Sequence, residues 1–475
     1  MHNSFHNTCA GRPAETLGTA PVLDPATLEV VAHAAQSTPG QLDDAVRAAR
    51  AVAGSAWARD AALRREALAQ CADLLLVHEA ALGELLSREQ GKPLAAARGE
   101  IQTGARLLRH FSTLVDTEKV IRQSASGSIR ALRAPIGAVG LIVPWNFPVT
   151  ILMMKLGPAL WAGNAVVVKP APTTPLTTLR IAQLLADALP PGTLNTVTGD
   201  ADIGQALVGH AGLGKISFTG SSPTGRRVMA TAAESLKRLT LELGGNDAAI
   251  VLPDANPATI APRLFANAFG NAGQLCCAIK RLYVHRRIHD EIVERMTAIA
   301  QDWRVGRGLA EDTQMGPLHT AAQRDHVRDL LRDAQARGGR IHTGGDALGE
   351  WPGHFLRPAI VSGLTDEARL VAQEQFGPAL PILAFDDADE AVARANASPY
   401  GLGGSVWSGD PDRAAGVVSR LEAVNLYVNQ HAVPPDPEVP FGGTKASGFG
   451  YELGEWGADD FSVRKVLHVP QGATA

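Results

Sequence analysis

Apolar residues recur every three or four positions in LDDAVRAARAV, at Leu42, Val46, Ala49 and Val52, and a similar period runs from Arg59 to Leu86. This spacing collects them on one helix face. Beyond Gly137 the pattern changes. Short unbroken apolar runs appear: GAVGLIV (137–143), AVVVKP (165–170), KISFTG (215–220) and AAIVLP (248–253). They read as strands buried on both faces. The segments 174–188, 223–236 and 256–269 read as helices between or after them. Alternation of this kind predicts a parallel α/β sheet with right-handed crossovers.

A second α/β unit follows. Residues 281–285 read as a strand, 289–303, 322–336 and 388–396 as helices, and 403–407 and 426–429 as strands. The polar, Gly-rich stretch 337–353 reads as a surface connection, and the Gly-dense stretch 442–457 as an ordered loop near a site. No repeat at solenoid spacing is visible. Residues 137–154 carry no charge and approach membrane-spanning length. Pro144, Asn146 and Pro148 interrupt them, so a buried strand and loop of a soluble enzyme is the better expectation.

The chain has 475 residues, more than one ordinary core organises, so two or three domains are expected. Its 45% hydrophobic and 19% charged residues fit a soluble globular protein. A net charge of −4, with Arg dispersed, argues against nucleic acid or a membrane as partner. The first residues lack a basic start and apolar run, so no signal peptide is expected. The four cysteines are Cys9, Cys71, Cys276 and Cys277. They form no disulfide framework, which points to a reducing, cytoplasmic location.

Six short motifs carry candidate chemistry, and one further segment, GFGYELG, only mimics a dinucleotide motif. GQLCC (273–277) could hold a cysteine nucleophile. Taken alone, it fits two buried, unreactive thiols better. LELGG (241–245) sets Glu242 between apolar residues, where burial would raise its pKa towards the range of a base catalyst; an ordinary strand-end glutamate fits too. PWNFP (144–148) holds Asn146 as an oxyanion donor or is simply a rigid turn. FTGSSPTG (218–225) leads from a strand into a helix N-terminus suited to phosphate, but it matches neither Walker A nor GxGxxG. GFGYELG (448–454) mimics GxGxxG more closely, yet no strand leads into it, so it reads as a loop. VVKP (167–170) ends a strand in Lys169, and EQFGP (374–378) sets a carboxylate beside an aromatic ring; a solvated charge and a turn fit these as well. No CxxC or HExxH appears, so no metal is expected, and His285 and His289 read as surface decoration.

In this order the motifs PWNFP, VVKP, FTGSxxxG, LELGG, GQxC, ExFGP and PFGGxKxSGxGxExG (440–454) resemble the aldehyde dehydrogenase superfamily over about residues 20 to 470. The resemblance implies an α/β fold in three parts. These are a Rossmann-like NAD(P)-binding domain (1–115 and 137–244), an α/β catalytic domain (245–442), and a small β oligomerisation arm with the C-terminal segment (116–136 and 443–475). It also implies a small-molecule aldehyde as substrate, NAD or NADP as cofactor, and a homodimer or homotetramer. Cys276 matches the nucleophile, Glu242 the general base and Asn146 the oxyanion side chain. Lys169 matches the adenosine-ribose contact, Gly220, Ser221 and Gly225 the pyrophosphate turn, and Glu374 and Phe376 the nicotinamide-ribose contacts. Trp145, Leu243 and Gly244 join the cofactor set. Cys277 stands at a variable position and receives no catalytic role.

The chain departs from the family's pattern at one place. Many NAD-preferring members carry glutamate three residues after the VVKP lysine, where this chain has Pro172. Use of NADP as well as NAD is therefore expected. Retention of Glu242 favours water over coenzyme A as acyl acceptor. Met153 and Met154 stand where semialdehyde-specific relatives carry arginine. Phe147, Met154, Leu275 and Phe441 are expected to line a tunnel for an apolar or aromatic aldehyde. A non-catalytic binding protein on the same scaffold is the main alternative, and an esterase without hydride transfer is a third reading. Cys276, Glu242 and Asn146 together argue against the first, Glu374 and Phe376 against the second.

Overall fold

The computed structural model describes residues 5–116, 118–349 and 351–470. Its first large sheet has six strands, in the order Gly448–Phe449, Arg238–Glu242, Lys215–Thr219, Ala138–Ile142, Ala165–Lys169 and Leu194–Thr196. The last five are parallel. Gly448–Phe449 runs antiparallel, with Gly448 opposite Glu242. This corrects the reading of 448–454 as a loop. A two-residue strand has no periodicity to reveal it.

From Ala138–Ile142 the chain moves outward to Ala165–Lys169 and Leu194–Thr196, then returns to the opposite side for Lys215–Thr219. The strand order therefore reverses between Ala138–Ile142 and Lys215–Thr219. Such a switch point opens a crevice at the carboxyl ends of the strands. PWNFP and FTGSSPTG both begin there.

The helices have recognisable starts. Pro39–Val52 opens with a capping box between Thr38 and Gln41 and buries Leu42, Val46, Ala49 and Val52. The period from Arg59 to Leu86 divides into Ala61–Val77 and Glu79–Gln90. Helix Ser222–Ala233 has a proline in its first turn, and Asn256 caps Pro257–Phe269. Helix Pro148–Trp161 is buried at every position. The uncharged stretch thus holds a strand, a turn and the start of a core helix, where only a strand and loop were expected. Pro148 begins this helix, because its missing N–H would have been unpaired there anyway.

The second sheet runs Arg340–Thr343, Ala359–Ser362, Ala379–Phe385, Ile279–His285, Asp247–Val251, Gly403–Trp407 and Asn425–Val428. Only the edge strand Arg340–Thr343 is antiparallel. Its presence corrects the reading of 337–353 as connection alone. Two core clusters pack against this sheet. A third, antiparallel sheet joins Lys119–Ser124, Gly127–Pro135 and Ser462–Pro470. Val120, Ile121 and Val466 on it are each more than half exposed.

Candidate active site

Glu242 ends its strand, paired between Thr219 and Gly448. It is buried, and neither carboxylate oxygen has a hydrogen-bond partner. Burial first, and the nearby Glu452 second, push its carboxyl well above the usual range, while Lys155 opposes them. Lys155 and Glu452 form a fully buried ion pair. The Lys155 ammonium also donates to Ser217 Oγ at 2.9 Å.

Cys276 follows a tightly built loop. Asn271, Ala272 and Gly273 have φ of 52°, 56° and 71°, three consecutive left-handed residues. Tertiary contacts hold this conformation. Lys280 Nζ donates to the Gly273 carbonyl at 2.5 Å, and Gln274 Nε2 donates to the Asn271 carbonyl at 3.0 Å. Gln274 Oε1 accepts from the His319 amide at 2.9 Å. A β-carbon at Gly273 would lie 2.4 Å from the Gly377 carbonyl, so the FGP turn presses directly on this loop. Cys276 and Cys277 are both partly exposed. Contact with the Cys277 thiol, then burial, hold the Cys276 thiol well above its ordinary pKa.

Asn146 is buried beside this loop and donates through Nδ2 to the Gln274 carbonyl at 3.1 Å. A primary amide carries two N–H groups, so one remains for a developing oxyanion. The Asn146 carbonyl accepts from Lys92 Nζ at 2.9 Å. Lys92 in turn pairs with Glu100 in the interior. Glu100 Oε1 accepts the amides of Val149 and Thr150, at 2.8 and 3.0 Å, in the first turn of the helix after PWNFP.

Glu374 Oε1 accepts the Gly245 amide at 3.0 Å. Burial raises Glu374 to about 7. Phe376, at φ 46°, meets Trp145 edge to face at 5.5 Å. Trp145 stacks on His319 at 4.6 Å, and His319 Nε2 lies 2.7 Å from Thr173 Oγ1. Burial lowers His319 to about 4, so the ring is neutral.

The switch-point residues fit a dinucleotide. Ser221 is extended and precedes helix Ser222–Ala233 without a side-chain cap, which leaves N–H groups for an anion. β-carbons at Gly220 and Gly225 would lie 2.5 Å from the tip of Phe218 and 2.4 Å from the tip of Leu243, so both glycines sit closely packed against these side chains. At Gly244 a β-carbon would meet Glu374 Oε2 at 2.3 Å. Lys169 is buried, with its ammonium 3.3 Å from the Pro170 carbonyl. Burial lowers it to about 8.

Of the four expected substrate residues, Phe147, Leu275 and Phe441 are half-buried, and Met154 lies in the core. Lys92 Nζ sits 3.8 Å from the Phe147 ring centre. Among the described residues, no group of three or more His, Cys, Asp or Glu could hold a metal ion. No helix among them is long and apolar enough to cross a membrane.

Several site residues escaped the reading of the sequence: Lys92, Glu100, Lys155, Lys280, His319 and Glu452. Lys155 carried one signal, as the first charge after the uncharged stretch. Glu452 lay inside a quoted motif without a role.

The pattern of the aldehyde dehydrogenase family matches residues 12–467. A cytosolic aldehyde dehydrogenase of Mus musculus is 36% identical, across 98% of this chain and 93% of its own. The structure of a mutant aldehyde dehydrogenase from Bacillus cereus superposes with a TM-score of 0.95 at 32% identity, covering 98% of this chain and 96% of that one. A betaine aldehyde dehydrogenase from Staphylococcus aureus, crystallised with NAD+, gives a TM-score of 0.95 at 29% identity, covering 100% and 96%. The chain belongs to the aldehyde dehydrogenase family. It is an oxidoreductase that oxidises an aldehyde with NAD(P)+.

Proposed function

We propose that Cys276 attacks the aldehyde carbon, that Asn146 stabilises the resulting oxyanion, and that Glu242 activates the water that releases the acid. The observation that carries this reading is the meeting of three distant segments. Asn146 bonds the loop two residues before Cys276, and Glu242 ends the strand leading into Gly245, which packs on the Cys276 carbonyl.

Because Cys276 is partly exposed, its thiol releases its proton to solvent as the sulfur adds to the carbonyl, and a thiohemiacetal oxyanion forms. Asn146 Nδ2–H and the backbone N–H of Cys276 donate to that oxygen; in related systems each such donor contributes about 10²–10³ in turnover. Collapse of that oxyanion breaks the carbon–hydrogen bond of the former aldehyde and leaves a thioester on Cys276; the nicotinamide, when bound, would accept the hydride. Ser221, with the N-terminus of its helix, and Gly220 and Gly225 hold the pyrophosphate. Lys169 meets the adenosine ribose, Glu374 and Phe376 the nicotinamide ribose, and Trp145, Leu243 and Gly244 complete the cradle. Glu242 removes a proton from water as the water attacks the Cys276 thioester. Its raised pKa suits it to accept that proton. The thiolate leaves, and the carboxylic acid departs.

The substrate is an apolar or aromatic aldehyde, supported by Phe147, Met154, Leu275 and Phe441 and by methionines at 153 and 154. Pro172 supports acceptance of NADP beside NAD. The parallel strands of the first sheet lie within 138–242 and the second sheet within 247–428, which supports the division into cofactor and catalytic domains, with Gly448–Phe449 of the C-terminal segment added to the first sheet. The exposed apolar residues on Lys119–Ser124 and Ser462–Pro470 support assembly into dimers or tetramers through that arm. Four free cysteines and the cytosolic mouse relative support a cytoplasmic location.

The test is NADH formation with an aldehyde panel, for wild type and Cys276→Ala. Turnover with apolar and aromatic aldehydes, lost in the variant, is the expected result. A dicarboxylate semialdehyde with the highest kcat/KM would overturn the substrate class. Full turnover by Cys276→Ala would overturn the mechanism.

A further inference from the structure

A buried histidine stands behind the nucleophile. His431 is 2% exposed and lies three residues beyond the strand Asn425–Val428. Its Nε2 is 3.0 Å from the Cys277 carbonyl oxygen and 3.5 Å from Asp247 Oδ2. Its Nδ1 is 2.9 Å from Ser405 Oγ. Trp407 Nε1 donates to that same Ser405 oxygen at 3.0 Å.

A carbonyl oxygen can only accept, so Nε2 carries a hydrogen and donates it to the Cys277 carbonyl. Nδ1 meets the Ser405 hydroxyl, whose oxygen also accepts from Trp407. The polar chain therefore links Trp407 through Ser405 and His431 to the Cys277 carbonyl. Asp247 faces the same hydrogen. Its Oδ1 accepts the Gly403 amide at 3.1 Å, while Oδ2 has no hydrogen-bond partner and faces Nε2–H.

The turn that carries His431 is itself held. Asn429, at φ 52°, exchanges bonds of 2.9 and 3.0 Å with the backbone of Ser408. Gly403–Trp407 is a buried strand of the second sheet. His431 thus connects rigid sheet to the Cys277–Ala278 peptide unit, one unit beyond the peptide that joins Cys276 to Cys277.

We propose that His431 is a positioning residue for the nucleophile. Its Nε2–H holds the Cys277 carbonyl, while Gly245 packs against the Cys276 carbonyl. Two successive carbonyls are fixed, so the Cys276 side chain and its backbone N–H keep one orientation through addition and hydride loss. The proposal rests on the reading of Cys276 as nucleophile.

The test compares His431→Ala, His431→Gln and Ser405→Ala with wild type and Cys276→Ala. Circular dichroism and thermal melting accompany each variant. Glutamine can still offer an N–H to the Cys277 carbonyl. The expected result is a fall of about tenfold in kcat for His431→Ala, with aldehyde and NAD+ KM within about twofold, and recovery of most of that loss in His431→Gln. Ser405→Ala keeps the imidazole but frees Nδ1, and should lower kcat in the same direction by a smaller factor. Wild-type kcat in His431→Ala, equal impairment of the alanine and glutamine variants, or a loss confined to KM would overturn the proposal. If His431→Ala does not fold, Ser405→Ala decides, and an unchanged kcat there overturns it. Activity retained by Cys276→Ala would instead remove the nucleophile reading beneath it.

Discussion

The α-carbon of Gly245 faces the carbonyl oxygen of Cys276 so closely that a β-carbon there would sit 2.4 Å from it. Gly245 stands three residues after Glu242, so this contact holds the Glu242 strand against the Cys276 segment, the proposed base against the proposed nucleophile. Gly245→Ala must push the two segments apart. The expected outcome is a fall of about 100-fold in kcat, the scale of a 1 Å misplacement, in a protein that still folds. Steady-state turnover with a thermal melt checks it.

Glu242 is buried, unpartnered and close to the charge of Glu452. A negative neighbour makes loss of a proton harder. Removing it in Glu452→Gln should lower the apparent pKa of Glu242, so thioester hydrolysis reaches its plateau at lower pH. The pH profile of the steady-state rate, in a variant that remains folded, measures this. An unchanged or upward-shifted profile would contradict it.

Lys92 and Glu100 are both about 1% exposed at the side chain and support PWNFP from beneath. Lys92→Met leaves a buried carboxylate without its cation. The expected destabilisation is about 3–5 kcal/mol, read from urea unfolding of the full protein. A change below about 1 kcal/mol would contradict this.

Glu89 bonds the amides of Leu176 and Thr177, each at 2.8 Å, and burial raises it from 4.5 to about 7. The unfolded chain releases this proton first as pH rises. Stability from this group is therefore highest below pH 4.5, falls through the window to about 7, and is flat above it. The drop is on the order of 3 kcal/mol. Denaturation curves of wild type and Glu89→Gln across that window should differ by this slope.

On the proposed cofactor site, Pro172 stands three residues after Lys169, where a carboxylate would repel a 2′-phosphate. Saturating NADP should support a substantial fraction of the NAD rate, and Pro172→Glu should reduce it selectively. A wild-type NADP rate under about one per cent, roughly 2.7 kcal/mol of discrimination, would contradict this.

The alternation of strands and helices was legible because apolar periodicity survives wherever an element has one buried face, as at Leu42, Val46, Ala49 and Val52. It disappears in Pro148–Trp161, which has no polar face, and in Gly448–Phe449, which is too short to show a pattern. The motifs located Cys276, Glu242 and Asn146 as candidates. Their supports were illegible for a different reason. Lys155 and Glu452 are 297 positions apart, and His431 and Cys277 154 apart, so only the folded chain pairs them. Single-residue chemistry can be read along the chain; the charge and hydrogen bond that tune it cannot.

Peptide mapping of an acyl adduct tests the central assignment most directly. Glu242→Gln is mixed with NAD+ and an aromatic aldehyde, quenched in acid and digested. The account predicts one acyl group per chain on Cys276, retained when Cys277 is changed to serine, with a burst of NADH of the same size. An adduct on Cys277, or continued NADH turnover without any adduct, would contradict it.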